Sequence, residues 1–143
     1  MIDVENKDYI IIVQCHIVKE RCPGYLCEKA FNERSGGFAV YPQEKKYRIL
    51  NMTCGGCCGR AVHRKLSNLI RRIKKKEGID RDRIVVQLSS CITQDNFHAS
   101  PCPHFDYLKG LLKKLELDVC EDTVINGKSE MRRKSGPYTA INK

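Results

Sequence analysis

Apolar and polar positions along the chain follow two rhythms that take turns. Tyr9-Ile10-Ile11-Ile12-Val13-Gln14 is a short β-branched run, the signature of a strand buried on both faces. It ends at Cys15-His16. After a loop containing Cys22 and Pro23, Leu26, Ala30 and Phe31 recur on one helical face until Ser35-Gly36-Gly37 breaks the pattern. Tyr47 to Thr53 reads as a second strand and runs straight into Cys54-Gly55-Gly56-Cys57-Cys58-Gly59. Val62, Leu66, Leu69, Ile70 and Ile73 then stand at helical spacing, with Arg64, Lys65, Arg71, Arg72, Lys74 and Lys75 on the other faces, which predicts an amphipathic helix closed by Gly78. Arg83 to Ser89 is a third strand ending at Ser90-Cys91. Beyond a polar loop, Phe105, Leu108, Leu111, Leu112 and Leu115 mark a third helix, with Pro103 suited to its first turn, and Leu117 to Cys120 makes a short fourth strand.

Strands alternating with helices in this order predict an α/β three-layer sandwich. Right-handed crossovers make its four-stranded sheet mainly parallel, with helices on both faces, and a flavodoxin-like strand order is expected. Residues 1–125 form the expected domain. Residues 126–143 carry Gly, Ser, Pro and charge without apolar period, and read as a basic tail or a docking arm. A chain of 143 residues buries roughly 68–70% of its unfolded surface, so its size does not demand disulfide staples.

Composition narrows the chemistry. The longest apolar run, Tyr9 to Val13, is far short of a membrane span, and Met1 to Asp8 is polar and acidic, without the features of a secretory signal. The expected compartment is therefore the cytoplasm, where thiols stay reduced and the nine cysteines, an odd number, suggest metal or redox chemistry rather than a disulfide framework. The net charge of +9 and the run Arg71-Arg72-Ile73-Lys74-Lys75-Lys76 raise nucleic acid as a partner. Such a run is equally the solvated face of an amphipathic helix. Few aromatic residues accompany it, so nucleic acid is not the favoured partner.

Placed on the scaffold, Cys15 falls just past the first strand, Cys54 and Cys57 just past the second, and Cys91 just past the third. In an open parallel sheet these carboxyl ends share one edge, where ligands bind. Cys22, Cys27, Cys102, His98 and His104 are expected in loops leaving the same edge. Cys54-Gly55-Gly56-Cys57 has the two-residue separation that lets both sulfurs reach one ion, and the following helix aims its positive end at them. His104, two residues after Cys102, is the best imidazole candidate. His16 is open to either role, and His63 is expected to be solvated. Cys58 is left open, and Cys120 reads as a small core hydrophobe.

Cys54-Gly55-Gly56-Cys57 between strand and helix, Ser89-Ser90-Cys91 after a later strand, Cys102-Pro103-His104 opening a helix, and Cys22-Pro23-Gly24 with Cys27 and Phe31-Asn32-Glu33-Arg34 upstream together resemble the CGGC domain family of small prokaryotic proteins. The resemblance runs to about Val119. It implies a metal-binding domain, zinc being suggested by the Cys and His content, with no assigned activity. The chain departs from the family at Cys58, where the family commonly carries proline.

The leading expectation is a protein holding zinc, or an iron–sulfur cluster, with Cys15, Cys54, Cys57 and Cys91 as first-choice ligands and Cys22, Cys27, Cys102 and His104 as further donors. A second is a thiol–disulfide oxidoreductase in which Cys54 attacks and Cys57 resolves. A third rests on Cys54 to Arg60 matching C-x5-R, an oxyanion-binding turn of the arsenate reductase and phosphatase type in which Cys54, Gly55, Gly56 and Arg60 would cradle the anion. Ala61 stands where that turn carries Ser or Thr. Whether the chain is an enzyme, and its oligomeric state, are not legible.

Overall fold

The computed structural model describes residues 4–20, 22–55, 60–93 and 104–123. Cys57, Cys58, His98, Cys102 and the segment 126–143 lie outside the described residues.

Four strands, β1 (Tyr9–Gln14), β2 (Arg48–Thr53), β3 (Ile84–Leu88) and β4 (Asp118–Glu121), form one all-parallel sheet in the order β2-β1-β3-β4. That order shares its four places with the start of the flavodoxin-like 2-1-3-4-5 arrangement; no fifth strand occurs among the described residues, so the full order is not reached. Every residue of β1 and β3 is buried, as their continuous apolar runs require of central strands covered on both faces. The edge strand β2 is partly exposed.

Among the described residues, five α-helices connect the strands: α1 (His16–Lys19), α2 (Tyr25–Glu33), α3 (Arg60–Glu77), α4 (Ser90–Thr93) and α5 (Phe105–Lys114). Side-chain alternation along the strands splits the core in two. On one face Tyr9, Ile11, Val13, Ile84, Val86 and Leu88 pack with Val62, Leu66 and Ile73 of α3 and Leu108 and Leu112 of α5. On the other, Ile10, Ile12 and Val85 pack with Ala30 of α2, Phe38 and Tyr41. Each such buried aliphatic side chain contributes about 1.5–3 kcal/mol relative to exposure. The result is the expected three-layer sandwich.

The differences from the sequence reading are local. α1 and α4 are four residues long, shorter than one repeat of an apolar stripe, so periodicity does not detect them. Leu26 is 46% exposed: α2 meets the sheet through Ala30, while Phe31 stacks edge-on to Phe38 at 5.4 Å. Phe38, ending the 3-10 helix Gly36–Phe38, and Tyr41 just after it complete that layer from a stretch too short to carry a period. At the opposite, amino edge of the sheet, buried Lys7 donates to the Asp82 carbonyl and the Asp118 carboxylate, both at 2.5 Å. The Arg83 guanidinium there holds the Asp8 carboxyl below the usual carboxylate range. No described helix is long and apolar enough to cross a membrane.

Candidate thiol-rich metal site

From β1 the chain crosses to β2 on one flank of the sheet, and β3 lies on the other flank, so the carboxyl ends of β1 and β3 bound the topological switch point. Two backbone bonds carry the strand register past the strand ends: Ser89 N–H donates to the Val13 carbonyl at 2.9 Å, and Cys54 N–H to the Gln14 carbonyl at 3.0 Å. This brings together residues remote in sequence. The Cys15 N–H donates to Cys91 Sγ at 3.2 Å, across 76 positions of chain. Cys15, Cys54 and Cys91 are all half-buried and pack against the same core cluster.

A hydroxyl cluster joins Cys91 to a further thiol. Ser89 continues the alternation that sends Val85 and Gln87 towards the α2 face, and its Oγ lies 3.3 Å from Cys91 Sγ and 3.5 Å from Cys27 Sγ. Thr123 Oγ1, just beyond β4, lies 3.2 Å from Cys27 Sγ and accepts from the Ser90 N–H at 3.2 Å, while Ser90 Oγ accepts from the Thr123 N–H at 2.9 Å. Cys27 is in the first turn of α2 rather than in a loop, and reaches this cluster from the far side of β3. Ser89, Ser90 and Thr123 did not figure among the candidate residues. Their signal in the sequence is a hydroxyl side chain next to a strand-end cysteine, as at Thr53-Cys54 and Ser89-Ser90-Cys91.

The Cys54 turn is built on a close approach. Gly55 has φ +75°, and a Cβ there would stand 2.3 Å from that of Ala61 in the first turn of α3, so only glycine lets the helix start so near the strand. Thr53 Oγ1 accepts from the Gly55 N–H at 3.2 Å and meets His16 Nδ1 at 3.1 Å. His16 and Arg60 are exposed, and Gly56 and Cys57 follow outside the described residues.

Burial dominates the electrostatics. It pushes the Cys91 thiol up to about 11 against the opposing hydrogen bonds that Cys91 Sγ shares with Ser89 Oγ and accepts from the Cys15 N–H, with Cys15 and Cys27 adding to the rise. Cys91 is therefore a thiol at neutral pH, and a metal ion taken up there must displace its proton. Burial likewise raises Cys120, which packs in the α2-side core beside Tyr41. The six described cysteines, Cys15, Cys22, Cys27, Cys54, Cys91 and Cys120, are all free. Cys22 is half-buried between α1 and α2, and His104 is exposed at the start of α5. Among the described residues, no three His, Cys, Asp or Glu side chains close into a group able to hold a metal ion. The donors among the described residues are soft sulfurs of the kind suited to zinc or iron, and the calls on Cys57 and Cys102 lie outside the described residues.

An uncharacterised protein of Methanocaldococcus jannaschii is 27% identical over 118 residues, covering 77% of this chain and 81% of the relative. No solved structure matches. The family model of the CGGC domain matches residues 9–124, which include every strand and helix described above. With its strand-end cysteines on a parallel sheet, the chain belongs to the CGGC domain family, to which metal binding is ascribed.

Proposed function

We propose that the chain binds a thiolate-preferring metal, zinc or the iron of an iron–sulfur cluster, at the carboxyl edge of its sheet. Cys15, Cys54, Cys57 and Cys91 are the principal ligands, and Cys22, Cys27, Cys102 and His104 are the further donors. The observation that carries this reading is the meeting of Cys15 with Cys91 at the β1–β3 switch point, with Cys54 against the same core. Four thiolates suit a closed tetrahedral zinc site, and the same ligands suit a cluster. The hydroxyls of Ser89 and Thr123 support it from outside, since donors to ligating sulfur fix its orientation and tune its basicity. The chain's own residues would bind the metal, hold the sulfurs in place and screen them from water on the core side.

The test is elemental analysis and a visible spectrum of protein purified anaerobically without added metal. Stoichiometric zinc without colour, or iron and sulfide with brown colour, is the expected result. Cys54→Ser, Cys57→Ser and Cys91→Ser should each lower the bound metal at least twofold, whereas Cys120→Ser should retain it. Full retention in the Cys54/Cys57 double variant would refute the ligand assignment.

A further inference from the structure

Every exposed position of α3 is charged, and every one but Glu77 is Lys or Arg. On the other face of the sheet α2 is built differently: it exposes Glu28, Lys29 and Glu33, and Lys29 pairs with Glu33 at 3.8 Å. Along α3, Arg60 and Arg64, Arg71 and Lys75, and Arg72 and Lys76 stand one turn apart as like charges, each pair destabilising the helix. The helix dipole accounts for the lysines of the last turn. It does not account for Arg60 at the positive end, or for Arg64, Arg71 and Arg72 along the shaft. Among the described residues, only Lys74 of these cations has a carboxylate partner, Asp80, and Glu77 is engaged by Arg48. Two of the guanidinium groups are also held together: Asn68 Oδ1 accepts from Arg72 Nε at 2.9 Å and from Arg71 Nη2 at 3.4 Å. A neutral oxygen thus sets two cations side by side and leaves their charge uncompensated.

A face of one sign, costly to the free helix and unneutralised within the described residues, is complementary to a polyanion. We propose that the exposed face of α3 binds the phosphate backbone of duplex DNA at the major groove, with the Arg71 and Arg72 guanidinium groups donating to phosphate oxygens. Shape selects this partner among polyanions. The 18 residues of α3 run about 27 Å, and at 3.6 residues per turn the basic arc from Lys74 round to Lys76 covers about 200° of the helix. A helix lying in a B-form major groove, about 12 Å wide, meets phosphates on both walls, which a basic arc this wide can reach and a flat surface cannot use. The major groove of duplex RNA is too deep and narrow to admit it. Insertion into a membrane surface needs apolar side chains on the same face, whereas Val62, Leu66 and Ile73 of α3 are buried in the core. Single strands are held by aromatic stacking, and α3 has no aromatic residue. The scarcity of aromatics therefore counts against single strands and not against a duplex, whose backbone is bound by charge alone.

Fluorescence anisotropy of a labelled DNA duplex of about 20 base pairs, titrated with the full chain under reductant from about 50 to 200 mM salt, tests this. Affinity should fall with salt at a log–log slope of about −4.5, the value for about five phosphate contacts. The Arg71/Arg72→Gln double variant should bind at least tenfold more weakly at the lower salt, with a slope shallower by about two. Both side chains are exposed, so its circular dichroism spectrum should match the parent's. Lys19/Lys29→Gln, which removes two charges from α1 and α2 instead, should leave affinity within about twofold. A DNA single strand, an RNA duplex of the same length and poly-glutamate should compete at least tenfold more weakly, and phosphatidylserine vesicles should not sediment the protein. Absence of duplex binding, an equal loss in the two double variants, or binding to any of the other polyanions as tight as to the DNA duplex would each overturn the proposal. α3 carries no cysteine, so these outcomes are separate from those that test the metal site.

Discussion

Gly37→Ala should lower the melting temperature by about 10 °C. An added Cβ at Gly37 would stand 2.0 Å from the Asp122 carbonyl oxygen, 2.5 Å from its carbon and 2.9 Å from the Glu121 oxygen, all backbone atoms that cannot swing aside. The close approach exists because the Gly37 N–H donates to the Thr123 carbonyl at 3.0 Å, fastening the end of β4 to the turn at Gly36–Phe38. Relieving the clash means pushing residues 121–123 outward, at a cost of about 3 kcal/mol for overpacking against rigid backbone. In a chain of this length that is a fall of roughly 10 °C, read by circular dichroism. The displacement also withdraws Thr123 Oγ1 from Cys27 and from the Ser90 N–H, so Cys27 should become faster to alkylate. A melting temperature within 2 °C of the parent would show that β4 is not held in this way.

Gln87→Leu should cost about 3 kcal/mol or more, although the side chain keeps its size. Gln87 is fully buried in the α2-side layer. Its Oε1 accepts from the Tyr41 hydroxyl at 2.7 Å, and its Nε2 donates to the carbonyls of Asp122 at 2.6 Å, Gly37 at 3.2 Å and Glu121 at 3.3 Å. Burial holds the Tyr41 hydroxyl protonated far above the ordinary range, so it remains a donor at every accessible pH. Leucine would strand that donor and at least the Asp122 carbonyl, each at about 1–3 kcal/mol. Urea unfolding should show a lower midpoint with an unchanged slope, and a loss under 1 kcal/mol would contradict the role given to the amide.

Both residues belong to the part of the molecule that sequence patterns do not reveal. β1, β3 and α3 were legible because each carries a full period of apolar residues, continuous or helical, set by its burial. Gly37 reads only as part of a helix-ending glycine pair and Gln87 as one polar position in an apolar run, whereas their importance comes from contacts with residues 121–123 that close only when β4 joins the sheet. The gathering of cysteines at one edge was legible as topology, since Cys15, Cys54 and Cys91 each follow a strand and parallel strands end together. What the pattern could not give was the matching of sides. Cys27 reaches Ser89 because α2 covers one face and Ser89 follows Leu88 by one position, a register set by the Ser89–Val13 backbone bond.

X-ray absorption at the metal edge of anaerobically purified protein reads the coordinating atoms directly. Three or four sulfur ligands at about 2.3 Å, falling by one in Cys91→Ser, is the expected spectrum. A bound metal surrounded only by nitrogen and oxygen, or a sulfur count unchanged by loss of Cys91, would contradict a thiolate centre at the β1–β3 edge.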